Sequence, residues 1–277
     1  MNKTYLFVLV FGLLLAACAA PGTVEIPGDL FVETNTANTP RIEVDDSPSD
    51  VGEYTEITLV DDSGSTSIEQ AAVDEALSVV PTGDLTAVEI EGLVFMREEE
   101  KLARDVYLVL YNQWNIPIFQ NIANSEASHM QALLTLIERF GIEDPAVGND
   151  VGEFTNPDLK ALYDQLVSQG SQSLADALKV GAAIEEIDIL DLEERLAQTD
   201  KDDIMLVYEN LLKGSRNHLR SFTNTITQQT GETYVPQYLS LDAYGAIIGT
   251  GIESGGASGR GSGRGQGKNS NGRNSGN

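Results

Sequence analysis

Four stretches of the chain carry apolar residues at spacings that alternate three and four, the pattern that lines one side of a helix. The stretches are about Val88–Trp114, Ile118–Phe140, Ser173–Ala197 and Asp202–Gln228. In the first, the seam reads Leu93, Met96, Glu100, Ala103, Tyr107, Leu110, Trp114, and in the second Phe119, Ile122, Glu126, His129, Leu133, Leu136, Phe140. In the third it reads Leu178, Ala182, Glu185, Ile189, Leu192, Leu196, and in the fourth Ile204, Tyr208, Leu211, Ser215, His218, Phe222. Gly141 suits the end of the second stretch. A shorter amphipathic stretch, Pro157–Ser168, follows Asn156 as N-cap and lies in the long link between the second and third. Strand signals are confined to brief pieces such as Tyr54–Val60. The expectation is an all-α domain, a four-helix bundle whose long crossover between helices 2 and 3 carries a short extra helix.

The flanks differ in kind, and four segments are expected. Residues 1–17 read as a secretory signal, with Lys3 ahead of a thirteen-residue apolar run, too short to span a bilayer. The run closes as Leu15-Ala16-Ala17-Cys18, which resembles a bacterial lipobox; the resemblance implies lipidation of Cys18, the only cysteine. An exported protein, lipid-anchored in the cell envelope, is then expected. Ala19 after the cysteine implies the outer membrane and its periplasmic face if the cell has one. Residues 18–85 read as an acidic, disordered tether: from Ala19 to Leu85 there are 15 acidic residues and one basic, Arg41. A short helix over Ile68–Val80 fits within it, with Ile68, Ala72 and Leu77 as its apolar face. Residues 86–251 hold the helical domain, and 252–277 form a Gly/Ser/Asn/Arg-rich flexible tail.

Composition removes several function classes. With 43 acidic and 17 basic residues, net charge −26, the chain repels phosphate, so no nucleic-acid partner is expected. One cysteine and two histidines exclude zinc ribbons, cysteine-held iron–sulfur clusters and His-rich metal sites. There is no Gly-x-Ser-x-Gly elbow in a strand–turn–helix context, and no phosphate or dinucleotide glycine motif in the helical region.

The chemistry lies in what interrupts the apolar seams: Glu100; Glu126 and His129; Glu185; Ser215 and His218. Carboxylates in an apolar interior cost several kcal/mol, as an order of magnitude, unless paired or ligated. No seam Lys or Arg is present to neutralise them, so a metal ion, or a pair, is the expected cation, with iron or manganese suited to carboxylate and imidazole donors. Taken singly each piece has a plainer reading. The Glu98-Glu99-Glu100 run resembles a solvated face, Glu186 lies on the flank of its helix, and His218 alone could be a hydrogen-bonded core histidine.

Glu100-Lys-Leu-Ala103-Arg-Asp-Val-Tyr107 resembles the first di-iron helix of rubrerythrin-type ferritin-like proteins, and Glu126-Ala-Ser-His129 resembles the Glu-x-x-His of the second. Glu185-Glu-Ile-Asp188 is similar to the third-helix Glu-x-x-Glu, with Asp in the last place. From Glu91 to Phe222 the chain also resembles an uncharacterised ferritin-like family of bacteria and archaea (domain of unknown function 2202), most specifically at Glu98–Tyr107 and Gly214–Arg220. The resemblance implies two metal ions, iron first, with manganese or zinc as alternatives. It implies Glu126 and Glu185 as bridges, Glu100 and Asp188 as terminal ligands, and His129 and His218 as one cap per ion. Tyr107 would hold a carboxylate by its hydroxyl from behind the ligands, with Ser215 in the same outer layer. The plainer alternative for Tyr107 is a core tyrosine whose hydroxyl is satisfied elsewhere.

Ser215-Arg-Asn-His218 departs from the fourth-helix Glu-x-x-His: the carboxylate is missing. The implied activity is a di-iron peroxidase or ferroxidase-like oxidoreductase acting on peroxide, dioxygen or ferrous iron. It would need an outside electron donor, since the Cys-rich donor module of rubrerythrins is absent. The alternatives are a non-catalytic metal-sequestration module and a metal-free helical interaction domain. A long tether fits a monomer or homodimer better than a closed cage.

Overall fold

A computed structural model describes residues 57–254, all within the second of two units into which the chain divides, Asp50–Asn277. The signal segment, Cys18, the first part of the acidic stretch and the tail from residue 255 lie outside the described residues. A short hairpin, β1 (Thr58–Val60) and β2 (Thr66–Ile68), leads into helix α1 (Gln70–Ser78). The longer helices follow: α2 (Ala87–Trp114), α3 (Pro117–Arg139), α4 (Pro157–Gly170), α5 (Leu174–Leu196), α6 (Asp202–Thr230), and a last short α7 (Leu241–Ile248). The protein is all-α apart from the two antiparallel strands, paired Thr58 to Ile68 and Val60 to Thr66.

Local chemistry sets the helix ends. Thr86 opens α2 with a capping box: its side chain accepts the Glu89 N–H, and the Glu89 carboxylate accepts the Thr86 N–H. Asn115 ends α2 in the left-handed region, φ +53°, and two residues later Pro117 starts α3. That tight turn makes α2 and α3 neighbours. Asn156 and Pro157 open α4, and Ser173 caps α5 by accepting the Asp176 N–H. Gly231, φ +73°, closes α6.

Helices α2, α3, α6 and α5 pack as a ring, each against the next, and α4 lies against α2 and α5. Every seam residue is buried except Trp114, Phe140 and Leu196 at the helix ends, which are half-buried. A Cβ at Gly181 would run into the Phe222 ring, so this glycine permits the close approach of α5 to α6.

Two boundaries differ from the sequence reading. Residues 57–78, assigned by composition to the tether, are packed structure: Ile57, Ile68, Val73 and Leu77 are buried, and β2 lies against both α3 and α6. Ile68 falls in β2, and α1 buries Val73, Ala76 and Leu77 in place of the expected Ile68, Ala72 and Leu77. The hairpin is held mainly by backbone and hydroxyl bonds, which leave no hydrophobic period. At the other end Glu253, beyond the expected boundary at 251, pairs with Arg216 at 2.6 Å and Arg220 at 2.9 Å.

Candidate metal centre

The polar interruptions of the four seams meet inside the ring. Glu100, Glu126, His129, Glu185, Asp188, Ser215 and His218 are each at most 6% exposed. Two groups of donors have atoms within 4.8 Å of one another: Glu100, Glu126 and His129; and Glu126, Glu185 and His218. Glu126 belongs to both. Its Oε2 stands 2.7 Å from His129 Nδ1, and its Oε1 stands 3.1 Å from His218 Nδ1. Glu100 Oε2 lies 3.3 Å from His129 Nδ1, and Glu185 Oε2 lies 3.4 Å from His218 Nδ1. The two imidazoles stack, centroids 5.6 Å apart and planes within 18°.

Two roles implied by the ferritin-like resemblance take a different form here. Glu185 belongs to one group only, and its Oε1 accepts a 2.5 Å hydrogen bond from the Tyr107 hydroxyl. Asp188 stands in neither group: its Oδ2 accepts the Ser215 hydroxyl, which draws it toward α6. Ser215 is thus a donor to the neighbouring helix's acid.

Electrostatics mark the cluster as short of positive charge. Burial is the largest influence on Glu100 and, with repulsion from Glu126, outweighs the His129 attraction, so its carboxyl is pushed up to about 8. Burial, then Glu100 and Glu185, raise Asp188 well above the carboxylate range, and burial raises Glu185 against the pull of His218. Burial works to raise Glu126 too, yet His218 and His129 together hold it well below its ordinary value. Burial lowers both imidazoles, and the carboxylates overcome it: Glu100 and Glu126 raise His129, while Glu126 and Glu185 push His218 up to about 9. The basic residues of α2 are turned elsewhere, Arg97 to Asp144 and both Lys101 and Arg104 to Asp105. Among the described residues, Glu100 Oε1, Glu126 Oε1, Asp188 Oδ1 and His218 Nδ1 are buried without a hydrogen-bond partner. Such atoms are costly unless a cation satisfies them. The donor set therefore fits a metal ion: carboxylate and imidazole donors, deeply buried, with unused lone pairs on Glu100, Glu126 and Asp188.

The phrase Gly214–Arg220 serves this centre residue by residue. Gly214 leaves room for the His129 ring, and Ser215 holds Asp188. Arg216 and Arg220 grip Glu253, while the buried Asn217 amide donates to Thr66 Oγ1 and to the Glu253 carbonyl. Sequence reasoning missed Thr66. Its N–H donates to His218 Nε2 at 3.1 Å, and its carbonyl accepts from His129 Nε2 at 2.9 Å. It also missed the burial of the other acids. Glu98 accepts the Thr155 and Asn156 N–H groups, and Glu186 accepts the Tyr234 hydroxyl and the N–H groups of Gln237, Tyr238 and Leu239. No periodic signal identifies those partners, since all lie in loops.

Residues 89–251 match a protein family described as Uncharacterized protein domain (DUF2202). Over 181 residues the chain is 50% identical to the uncharacterized protein MJ0754 of Methanocaldococcus jannaschii, an overlap of 65% of this chain and 97% of that protein. A crystal structure of the hypothetical protein MJ0754 superposes with a TM-score of 0.61 at 50% identity, covering 63% of this chain and 99% of that one.

Proposed function

This chain belongs to the DUF2202 family, and on that premise we propose that it is a carboxylate–histidine metal protein with two ion positions that share Glu126. One observation carries the reading: two buried donor groups meet at a single carboxylate whose two oxygens face different imidazoles. Glu100 and His129 would complete one position, and Glu185 and His218 the other. Iron is the first choice of metal, with manganese or zinc as alternatives.

A reduced iron pair, when bound, would supply two electrons to peroxide or dioxygen, which makes the proposed activity that of an oxidoreductase. The chain's own residues would do the rest. Tyr107 holds Glu185 by its hydroxyl and packs against Phe119 and Phe222, ring centroids 6.4 and 5.3 Å away. This aromatic wall would keep bulk water from the carboxylates. Asp188, beside the two groups, restrained by Ser215 and raised well above the carboxylate range, would be a proton donor in reserve. Electrons would come from an outside donor or from ferrous iron itself as substrate. The proposal extends to the envelope, with Cys18 as a lipid anchor.

The test is anaerobic addition of ferrous iron to the metal-free full chain, followed by a pulse of peroxide or oxygen. Two irons per chain with rapid oxidation are expected, and metal binding lost in the paired Glu126→Ala and His129→Ala variant. Unchanged metal content in that variant would sink the site. A second reading, a non-catalytic sequestration module, is favoured by the position of Asp188 outside both groups. One redox-silent ion per chain would select it.

A further inference from the structure

We propose that Glu99, Asp188 and Asp191 form a third cation position, where α2, α4 and α5 meet, through which metal enters and leaves the centre. The route rests on the two-position reading above; the extra position does not.

Glu99 is the member of the Glu98-Glu99-Glu100 run that the fold leaves unpartnered. One residue along a helix turns the side chain by about 100°, so Glu100 faces the centre while Glu99 faces the gap toward α4 and α5. It is 4% exposed, and among the described residues neither of its oxygens has a hydrogen-bond partner. A small cavity beside it has apolar walls that include Leu102, Leu162, Leu166 and Ile187, with Asp188 as the other acid in its lining. Asp188 gives Oδ2 to the Ser215 hydroxyl, whereas its Oδ1 is buried without a partner. Asp191 lies three residues farther along α5 and so on the same face. It is partly exposed, and its carboxyl meets that of Glu99, an acceptor facing an acceptor.

The three acids make a ladder from the partly exposed Asp191, through Glu99, to Asp188 beside the centre. Burial comes first among the influences on Glu99, and the charges that follow are all acids: Asp191, Asp188 and Glu100. Arg97 and Lys101 of the same helix pair with Asp144 and Asp105. Arg195 attracts Asp191, at the outer end, while its guanidinium lies 5.2 Å over the Phe95 ring. A proton shared by Glu99 and Asp191 would leave the second Glu99 oxygen and Asp188 Oδ1 bare, and buried acceptors left bare are costly. A cation serves all of them. The donors are carboxylate oxygens throughout, which suit a hard divalent ion such as manganese or ferrous iron. Because Asp191 is open to water and its charge is screened, the ion is held more loosely here than in the closed donor groups of the centre. Affinity then rises inward, as a route of entry requires.

The test adds manganese to the metal-free full chain in about 0.15 M salt, which screens the exposed acids. The EPR signal of free manganese gives the stoichiometry at equilibrium and the rate of uptake after rapid mixing; excess chelator gives the rate of release. The wild type should bind two ions tightly and one more weakly. Glu99→Gln and Asp191→Asn should each lose the weak ion and keep both tight ones. Uptake and release should slow together by about tenfold, the low end of what an acidic cleft adds to association rates. Tight affinity should not change, because a passage affects both directions alike. If either variant fails to fold, Leu166→Phe, which narrows the cavity without touching an acid, should slow both rates in the same way. A wild type with no third ion, or variants whose rates match the wild type, would overturn the proposal and leave a proton shared by Glu99 and Asp191. If the wild type binds no manganese tightly, the two-position reading falls, and loss or survival of the weak ion in Glu99→Gln still decides whether the third position exists.

Discussion

A Cβ on Gly214 would lie 2.7 Å from His129 Cε1 and 2.9 Å from its Nε2. The mid-helix glycine, which costs about 0.5–1 kcal/mol relative to alanine, clears the space in which the ring stands. Gly214→Ala should therefore leave α6 intact while pushing the imidazole off Glu126. Calorimetric titration with manganese should show affinity down by at least about tenfold, since a ligand displaced from its partners costs 10- to 100-fold. Unchanged affinity would mean that the ring has room to yield.

The acid cluster makes the metal-free protein sensitive to pH. Burial pushes Glu100 up from 4.5 to about 8, and Glu185 and Asp188 are raised as well, while Glu126 and Glu185 overcome burial to push His218 up from 6.5 to about 9. Each of these groups binds more protons folded than unfolded between its two values, so this stability is complete at acid pH and is lost as pH rises through the folded values. Glu126, held low, works in the opposite sense but only below the ordinary carboxylate range. The Tm of the metal-free chain should fall between about pH 5 and 9, and saturating manganese should abolish the fall by replacing protons with a dication. Calorimetry in buffers of different ionisation enthalpy should register proton release on binding. A metal-free Tm that rises over this range would contradict the cluster's electrostatics.

Tyr107→Phe keeps the ring packed against Phe119 and Phe222 but removes the 2.5 Å hydrogen bond to Glu185. Helix content should be unchanged. Metal affinity should drop about tenfold, and the loss should be larger at the Glu185–His218 position than at the Glu100–His129 position, because Glu185 belongs to the His218 group. Equal loss at both steps of the titration would argue against that assignment.

Glu185 and Glu186 are neighbours with different work. Glu186→Ala would strand the N–H groups of Gln237, Tyr238 and Leu239 and the Tyr234 hydroxyl. A loss of about 3 kcal/mol of stability is expected in urea unfolding, with metal stoichiometry unchanged. Glu185→Gln should do the reverse, with stoichiometry lowered and stability held or raised, since it removes a buried charge. If the two variants behave alike, the division between anchor and ligand is wrong.

Periodicity alone located the long helices to within two residues at each end, because alternation of three and four is a local property of a buried helix face. It also marked Glu100, Glu126, His129, Glu185, Ser215 and His218 as polar positions on faces that had to point inward. The Glu98-Glu99-Glu100 run shows where local reading fails. Three adjacent acids resemble a solvated face, yet all three are buried, with Glu98 satisfied by the N–H groups of residues 57 and 58 positions away. Adjacency predicted exposure, and distant backbone donors reversed it.

The sequence by itself determined the helices, their inward faces and the candidate donors, all of which follow from side-chain spacing and the cost of burying charge. Only the tertiary structure decided that Glu126 is the acid shared by both groups, that Asp188 turns to Ser215, and that Thr66 stands between the two imidazoles. Those outcomes depend on which oxygen or peptide edge faces which ring across helices and a hairpin far apart in the chain. A hydrogen bond between remote backbone and side-chain atoms leaves no period and no composition to read.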